Sequence, residues 1–206
     1  MKNFITFEGC EGSGKSTQIR LFKEYLDKHG VKYAAFREPG GTEISEKIRE
    51  MILDVKNDGM TDECEALLYA AARAQLIKEK IMPAIKSGNL VVCDRFVDSS
   101  VAYQGYARGL GEGYVKKIND YALKNCMPDY TVFLNISPTA AFLRKGGADE
   151  NDRLERAGLK FHEEVYRGYS EIAKSEKNRF LLIDCSGTKA ETHAKIVAAL
   201  KAKGVI

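Results

Sequence analysis

The stretch GCEGSGKS (residues 9–16) decides the fold. It matches the pattern G-x-x-x-x-G-K-S, follows an apolar run at residues 3–7, and precedes a segment with apolar residues at Ile19, Phe22 and Leu26. A strand, a glycine-rich loop and a helix start in this order bring backbone N–H groups and the positive end of a helix dipole to one place. The stretch is therefore predicted to be a phosphate-binding loop, or P-loop.

The residues of this loop have separate expected tasks. The predicted ATP-binding set within it is Gly9, Cys10, Glu11, Gly12, Ser13, Gly14, Lys15, Ser16 and Thr17. The glycines let the backbone approach phosphate oxygens, Lys15 reaches the outer phosphates, and Ser16 offers its hydroxyl to Mg²⁺. Glu11 is unexpected here, because its carboxylate stands in the middle of a loop that binds anions.

A second acidic group is needed to hold the metal through its waters, and it should end a buried strand beside the first one. Two apolar runs end in an aspartate, LVVCD at Asp94 and FLLID at Asp184. Asp94 is preferred because Arg95 follows it and places a cation beside the phosphates. Asp184 is expected to cap the last turn, where a nucleotide base often passes in this architecture. An ordinary strand-end turn is the alternative for Asp94.

Apolar, strand-like runs recur along the chain, with helical patterns between them. The runs lie at residues 3–7, 33–36, 90–93, 130–134 and 180–183. Apolar residues at helical spacing include Ile44, Ile48 and Met51, and then Leu67, Leu68 and Leu76. This alternation predicts an α/β fold with a parallel sheet, and 206 residues fit one domain spanning 1–206.

The composition excludes some classes of partner. The formal net charge is +3, from 32 basic and 29 acidic side chains, which is too small to indicate nucleic acid or a membrane surface. No segment approaches the ~20 apolar residues of a membrane span. The five cysteines are scattered without a CxxC pair, so reduced thiols in a cytoplasmic protein are expected.

Four arginines lie where strands end or helices face inward, at Arg37, Arg49, Arg73 and Arg95. An enzyme that only hydrolyses a nucleotide does not need so many. Because arginine binds phosphate with a planar fork of donors, the cluster suggests a second anionic substrate held in line with the first. Each arginine taken alone fits a surface position or an ion pair better than a ligand contact.

Two further segments suggest a pocket for a base. In LLYAAARAQ (residues 67–75), Tyr69 and Arg73 share a helix face otherwise lined with alanines, which fits either a planar base or a closely packed helix. The polar residues that follow Asp94 and Arg95 could read base edges and sugar positions at the carboxyl end of a strand, or form an ordinary polar loop. These residues are Ser99, Ser100, Tyr103 and Gln104.

Six stretches in this order resemble bacterial thymidylate kinases, which phosphorylate dTMP to dTDP. They are residues 7–18, 37–49, 67–75, 94–105 (DRFVDSSVAYQG), 128–138 and 152–169, and the resemblance covers essentially the whole chain. DRFVDSSVAYQG is the most specific of them. The resemblance implies a P-loop NTPase fold of three α/β/α layers with a five-stranded parallel sheet, a homodimer, and Mg-ATP as the phosphoryl donor.

The resemblance also implies a role for individual residues around the phosphates and the donor base. Arg95, with Arg49 and the turn at Glu38 and Pro39, would bind the 5′-phosphate of dTMP. Arg144 resembles an arginine that lies against the adenine of ATP. Together with Lys15, Arg95 would compensate charge during phosphoryl transfer, a reaction that asks for alignment and charge more than for a strong base.

On the thymidine side, the resemblance implies contacts with the base and the sugar. Tyr69 would stack on thymine and Arg73 would contact its O4 edge. Ser100, with Gln104 near it, would meet the other polar edge, and Tyr103 would crowd the 2′ side of the sugar and favour deoxyribose. Ser99 completes the predicted dTMP-binding set.

The same view gives Glu11 a purpose. Backbone amides and Lys15 bind the phosphates, so the carboxylate can point across the site and accept a hydrogen bond from the 3′-OH of the acceptor sugar. The resemblance assigns this role to an acidic residue at this position. Pairing with Arg95 is the alternative, and both can hold together.

The segment RKGGADENDR (residues 144–153) is predicted to be a mobile surface loop and a lid, since it has almost nothing apolar to bury. Members of the family without an arginine in the P-loop usually carry a basic residue in the middle of the lid, and here the middle is Gly-Gly-Ala-Asp-Glu. Arg144, Lys145 or Arg153 could substitute. Lys145 is the preferred candidate, with Arg153 expected to be structurally placed beside Asp152.

Two other functions are compatible with parts of the sequence. One is a kinase for another nucleotide or a deoxynucleoside, which assays with different acceptors would separate from a dTMP kinase. The other is a P-loop switch that binds ATP without phosphorylating a nucleotide. The arginine cluster and DRFVDSSVAYQG argue against the switch, because a switch has no use for a second nucleotide pocket.

Overall fold

The computed structural model describes residues 3–145 and 152–206. Its centre is a five-stranded sheet in which every strand pairing is parallel. The strands are β1 (Phe4–Glu8), β2 (Tyr33–Arg37), β3 (Leu90–Asp94), β4 (Tyr130–Asn135) and β5 (Phe180–Asp184). They lie in the order β2-β3-β1-β4-β5. The predicted strand runs and the predicted five-stranded parallel sheet are confirmed.

Helices connect the strands and cover both faces of the sheet. They are α1 (Lys15–Lys28), α2 (Glu43–Leu53), α3 (Asp62–Leu76), α4 (Met82–Lys86), α5 (Val97–Ser100), α6 (Glu112–Leu123), α7 (Pro138–Lys145), α8 (Leu159–Ser175) and α9 (Lys189–Ala202). Two π-helical segments, Ile77–Ile81 and Val101–Ala107, continue α3 and α5. None of the helices in the described part of the chain is long and apolar enough to cross a membrane.

The core has one part on each side of the sheet, which gives the three predicted layers. On one side, α1 and α9 pack on the sheet, and their buried residues Phe22, Leu26, Ile196 and Leu200 cluster with Ile5, Phe7, Val92 and Val132. On the other side, α3 and α8 bury Leu76 and Tyr169 in clusters that contain Phe4, Val91 and Phe133. Because both faces are covered, the strands are apolar runs without strict alternation.

The helices predicted from apolar spacing exist, but not every spaced residue faces the core. Ile44 and Met51 on α2 and Leu67 on α3 are 52%, 50% and 51% exposed. The two helices pack against each other through polar contacts as well, since Ser45 Oγ donates to the carbonyl of Ala72 at 2.9 Å. The apolar residues at the outer face of this helix pair remain accessible.

The strand order places the sequence motifs at one edge of the sheet. β1 lies in the middle, and the P-loop follows its carboxyl end. Phe7 on β1 is in register with Asp94 on β3, so the strand that ends in Asp94 is the direct neighbour of the P-loop strand. Parallel sheets bind ligands at this edge, and the candidate site lies there.

Candidate active site

Two pockets lie on either side of the P-loop. We call the first the Arg95 pocket; it is lined by Glu11, Glu38, Pro39, Arg49, Leu53, Tyr69, Arg95, Ser99, Ser100, Tyr103, Gln104, Asp152 and Leu154. We call the second the P-loop pocket; it is lined by Gly12, Ser13, Gly14, Thr17, Gln18, Arg144, Cys185, Gly187, Thr188, Lys189 and Thr192. Of the residues predicted to bind dTMP, all except Arg73 line the Arg95 pocket.

The P-loop requires glycine at defined positions. Gly14 begins α1 in the left-handed region, with φ 92°, which an L-residue adopts only at a cost. A Cβ at Gly9 would lie 2.8 Å from Ser13 Oγ and 3.2 Å from the carbonyl oxygen of Leu134. The loop is therefore tight against β4, and its backbone path depends on these two glycines.

Lys15 folds back onto the loop that carries it. Its Nζ donates to the carbonyl oxygens of Gly9 at 3.0 Å and Cys10 at 3.3 Å, and the residue is 8% exposed. Burial lowers the pKa of Lys15, and the charge of Arg95 adds to this effect. The ammonium thus lies inside the phosphate-binding loop, away from bulk water.

The residues predicted to hold Mg²⁺ lie on the two sides of the P-loop strand. Ser16 is in the first turn of α1, and Asp94 ends β3. The Oδ1 atom of Asp94 is buried without a hydrogen bond to any described residue, which fits an oxygen that serves a hydrated cation. Asp184 lies at the sheet edge and is engaged by Lys195 at 2.6 Å and by Ser186. No group of three or more His, Cys, Asp or Glu side chains in the described residues forms a metal cage.

Arg95 has an unusual backbone. It is a non-glycine residue with φ 64°, immediately after β3. Its Nη1 donates to the carbonyl of Gly9 at 3.1 Å, to Ser99 Oγ at 3.2 Å and to the hydroxyl of Tyr169 at 3.2 Å. The guanidinium carbon also lies 5.1 Å from the centre of the Tyr103 ring. One side of the guanidinium is therefore fixed by the protein, and the other reaches the pocket.

Glu11 lies at the Arg95 pocket and not in the P-loop pocket. Its Oε1 accepts a short hydrogen bond from Arg95 Nη2, and the hydroxyl of Tyr103 lies 3.4 Å away. The carboxylate therefore points across the site, and it pairs with Arg95 as the alternative interpretation expected. A bond to the 3′-OH of an acceptor sugar stays a prediction.

Arg73 is placed beneath the Arg95 pocket. It is 1% exposed, and its guanidinium donates to Glu38 at 2.9 Å, to Asn119 Oδ1 at 2.7 Å and to Ser100 Oγ at 3.0 Å. Three elements thus hold it in place: the turn after β2, α6 and α5. Tyr69, one turn earlier on α3, does line the pocket. A direct contact of Arg73 with the O4 edge of a base stays a prediction.

A buried ionic cluster ties this pocket to the segment after residue 151. Glu65 on α3 accepts hydrogen bonds from Gln104 at 2.8 Å, Arg108 at 3.0 Å and Arg153. Burial opposes ionisation, but Arg108 and the hydrogen bonds from Gln104 and Arg153 hold the pKa of Glu65 below its usual value. The cluster fixes Gln104 and also brings Leu154, next to Arg153, to the pocket wall.

The arginines of the predicted phosphate cluster are not all at the pocket. Arg49 is, and its Nη1 also donates to the carbonyl of Pro39 at 3.1 Å. Arg37 instead pairs with Glu46 at 2.8 Å on the partly exposed side of α2. The interpretation of all four arginines as one ligand-binding cluster is therefore wrong for Arg37, because Glu46 on the adjacent helix neutralises it.

The P-loop pocket contains residues that sequence reasoning missed. The loop between β5 and α9 contributes Cys185, Gly187 and Thr188 to it, and α9 contributes its first residue, Lys189. The sequence predicted that the turn at Asp184 passes near a nucleotide base, but it did not indicate which residues of the turn line the pocket. Arg144 is at the pocket, where its Nη2 donates to the carbonyl of Ser186 at 3.4 Å.

The predicted boundaries of the lid need correction. Arg144 and Lys145 belong to the last turn of α7, and Arg153 is buried, with Nε donating to the carbonyl of Ile52 at 2.9 Å. Neither end of the predicted 144–153 segment is a surface loop, because helical hydrogen bonding and the Glu65 ion pair hold them. Arg153 was expected to be structurally placed beside Asp152, and the structure does hold it in place, through its ion pair with Glu65. Residues 146–151, the centre of the predicted lid, lie outside the described residues.

Comparisons with known proteins agree with the geometry. The family model described as thymidylate kinase matches residues 7–196. Similar curated proteins, each called thymidylate kinase, come from a Thermoanaerobacter species, from Finegoldia magna and from Bacillus velezensis. The first is 47% identical over 96% of this chain and 97% of its own length. The second is 46% identical over 98% and 100%. The third is 48% identical over 90% and 89%.

Proposed function

Since the chain belongs to the thymidylate kinase family and phosphorylates dTMP with ATP, we propose that the Arg95 pocket binds dTMP and the P-loop pocket binds ATP. The observation that carries this assignment is the position of the P-loop between the two pockets. A donor phosphate on the loop and an acceptor phosphate on Arg95 would meet there, which is the alignment that phosphoryl transfer needs.

In the Arg95 pocket, Arg95 and Arg49 bind the 5′-phosphate of dTMP, and the backbone of Pro39 helps to orient Arg49. The two guanidinium groups provide planar forks of donors and a localised positive charge. Their charges also keep the acceptor phosphate oriented toward the P-loop, where the new bond forms. No strong base is required of the protein.

The thymidine part of dTMP lies against Tyr69, Tyr103 and the start of the π-helical segment. Tyr69 supplies a flat ring for stacking, and Tyr103 restricts the 2′ side of the sugar. Ser100 presents a hydroxyl whose partner Arg73 is buried, so the base edge meets groups that are already fixed. The Glu11 carboxylate accepts a hydrogen bond from the 3′-OH of the sugar while it remains paired with Arg95.

In the P-loop pocket, the backbone of Gly12, Ser13 and Gly14 binds donor phosphates, and Thr17 extends the site along α1. Lys15 moves its ammonium from the loop carbonyls to the outer phosphates. Arg144 lies against the adenine. Ser16 and Asp94 would hold Mg²⁺, which when bound neutralises phosphate charge.

The residue that compensates charge on the lid side is Lys145, the last residue of α7. Arg153 is held by its buried pair with Glu65 and lines neither the Arg95 pocket nor the P-loop pocket, so it is not assigned this task. The lid expected at about residues 144–153 would exclude water from the reacting phosphates and limit ATP hydrolysis.

The enzyme is a homodimer that assembles through the outer face of α2 and α3. Ile44, Met51 and Leu67 on this face are each about half exposed, which is unusual for large apolar side chains grouped on adjacent helices. Light scattering should give twice the chain mass, and Leu67→Glu should give the monomer. Leu143→Glu is the matched control, since Leu143 is 79% exposed on α7. A wild-type monomer at micromolar concentration would refute the dimer.

The assignment of the pockets is tested by separating the phosphate of dTMP from its nucleoside. Arg95→Ala should raise the KM for dTMP by about a hundredfold, because a charge-assisted contact with a phosphate is lost. The Ki of thymidine as a competitive inhibitor should change less than threefold. Equal changes for dTMP and thymidine would place the phosphate elsewhere. The reaction itself is followed as ADP and dTDP formed in equal amounts from ATP and dTMP, with dUMP and dCMP as alternative acceptors.

We place the enzyme in the cytoplasm, where ATP is supplied and where the free thiols of its cysteines stay reduced.

A further inference from the structure

At the back of the Arg95 pocket, three side chains form a small hydrogen-bonded group, of which only Ser99 lines the pocket itself. Glu8 ends β1, Ser99 is on α5 and Tyr169 is on α8. Glu8 and Tyr169 are both 0% exposed, and Ser99 is 9% exposed. We call these three residues the Glu8 triad. Its members come from three elements that are far apart in the sequence and meet only in the folded chain.

The members of the Glu8 triad are hydrogen-bonded to one another, and the hydroxyl oxygens of Ser99 and Tyr169 also lie 2.8 Å apart. Glu8 Oε2 accepts from Ser99 Oγ at 2.6 Å and from the Tyr169 hydroxyl at 2.8 Å, while Oε1 accepts from the backbone N–H of Phe96 at 2.7 Å. A serine or tyrosine hydroxyl has one proton to donate. When both protons point to Glu8, both hydroxyl oxygens can only act as acceptors toward any other neighbour.

That other neighbour is Arg95. Its Nη1 lies 3.2 Å from Ser99 Oγ and 3.2 Å from the Tyr169 hydroxyl. When Glu8 is ionised and accepts from both hydroxyls, their oxygens present lone pairs to the guanidinium. Arg95 needs such support, because its backbone has φ 64°, in the left-handed region that L-residues rarely adopt.

We propose that Tyr169, with Glu8, is a positioning residue for dTMP: it fixes one edge of the Arg95 guanidinium so that the other edge faces the acceptor phosphate. This inference rests on the proposed role of Arg95. It assigns a function to two residues, Glu8 and Tyr169, that line neither the Arg95 pocket nor the P-loop pocket.

The test removes a single oxygen atom. Tyr169→Phe keeps the ring, which is stacked on Phe133 at 5.2 Å between centroids, and deletes only the hydroxyl. The KM for dTMP should rise about tenfold, since a hydrogen bond to a charged group is lost. The Ki of thymidine should change less than twofold, because thymidine has no phosphate. The KM for ATP should also stay within twofold.

The matched control is Tyr166→Phe. Tyr166 lies one turn earlier on α8 and also packs near Phe133, at 6.4 Å, but its hydroxyl donates to Asn135 Oδ1 at 2.9 Å. This variant should have the wild-type KM for dTMP. If Tyr169→Phe behaves like Tyr166→Phe, or if it weakens dTMP and thymidine by the same factor, the positioning role is refuted.

A second variant tests the direction of the hydrogen bonds. Glu8→Gln introduces an NH₂ group that donates to one of the hydroxyls, so that this hydroxyl turns a proton toward Arg95. The KM for dTMP should rise at least as much as in Tyr169→Phe, again with thymidine unchanged. An unchanged KM for dTMP in Glu8→Gln would contradict the orientation of the Ser99 and Tyr169 hydroxyl protons toward Glu8.

Failure of this inference can be told apart from failure of the pocket assignment. In an Arg95→Ala background, Tyr169→Phe should have no further effect on the KM for dTMP, because its target is gone. If Arg95→Ala itself leaves dTMP binding unchanged, the proposed role of Arg95 is refuted. If Arg95→Ala weakens dTMP but Tyr169→Phe multiplies that effect independently, only the positioning role is refuted.

Discussion

The substitution Glu65→Gln removes the negative charge at the centre of the buried ionic cluster while it keeps the size of the side chain. Glu65 faces Arg108, Arg153 and Gln104, all of which donate to its carboxylate. Arg108 is 20% exposed and has a second partner in Asp62 at 3.3 Å, so it can be solvated when Glu65 loses its charge. Arg153 is only 8% exposed and would be left as a buried cation.

The expected loss of stability follows from Arg153, which would remain buried without its carboxylate partner. Removing one partner of a buried ion pair costs about 3–5 kcal/mol. The glutamine oxygen still accepts one hydrogen bond, so the lower end applies, about 3 kcal/mol. For a chain of this size, each 1 kcal/mol lowers Tm by about 2–4 °C, which gives a total decrease of about 6–12 °C. The KM for dTMP should also rise, since Gln104 and Leu154 at the pocket wall depend on this cluster.

Urea and thermal unfolding measure the effect, with Glu63→Gln as the control. Glu63 lies two residues before Glu65 on the same helix and is exposed, so its variant should stay within about 0.5 kcal/mol of the wild type. Adding Arg153→Met to Glu65→Gln should restore at least about 1.5 kcal/mol, because the stranded charge is gone. A Glu65→Gln protein as stable as the Glu63→Gln protein would refute the reasoning.

Three other predictions follow from the structure. Burial and the charge of Asp98 raise the pKa of Glu8 from 4.5 to about 7, so the folded protein holds a proton that the unfolded chain releases, and its stability falls as pH rises from about 4.5 to about 7. In Glu8→Gln, the free energy of unfolding in urea, measured between pH 5 and 8, should fall less steeply with pH, by up to about 1.4 kcal/mol per pH unit. Equal slopes for the variant and the wild type would contradict this. Lys145→Ala should lower kcat in steady-state assays far more than it changes the KM for dTMP, and an unchanged kcat would remove Lys145 from the mechanism. Gly168→Ala should destabilise the fold by about 1–3 kcal/mol in thermal unfolding, because a Cβ there would lie 3.0 Å from Ala102 Cα, whereas Gly113→Ala, with open space, should be neutral or slightly stabilising.

The fold could be predicted because its signals are local. Each strand is a contiguous apolar run, and the P-loop pattern lies between a strand and a helix, so neighbouring residues determine the assignment. The order of the strands is different, since it depends on crossover connections that span the whole chain. Asp94 was placed correctly beside β1 because Arg95 follows it, not because the pairing of Phe7 with Asp94 is visible in the sequence.

The site was predictable where its residues lie in one segment. Ser99, Ser100, Tyr103 and Gln104 follow β3 directly and line one pocket, as the sequence indicated. Tyr169 was missed because its contact with Glu8 joins residues 161 positions apart, and nothing in either local pattern records it.

The ion-pair partners of two arginines could not be predicted from the sequence. Arg37 was grouped with the phosphate-binding arginines, and Arg153 was expected to be structurally placed beside Asp152; they pair with glutamates on other elements, Glu46 and Glu65. A charged side chain is long and flexible, and several partners of opposite charge lie within its reach. Which of them it meets is determined by packing, which sequence spacing does not specify.

The desolvation of the Lys15 ammonium takes place when the protein folds and not when the substrate binds. The ammonium is removed from bulk water when the chain folds, and two carbonyl oxygens of the P-loop take the place of its hydration shell. An incoming phosphate therefore does not have to strip water from this cation, so the solvent reorganisation has already occurred before substrate arrives. The same residue is then a source of instability in the empty enzyme, and nucleotide binding should relieve it. The arrangement of Lys15 that favours catalysis therefore lowers the stability of the folded enzyme when no nucleotide is bound.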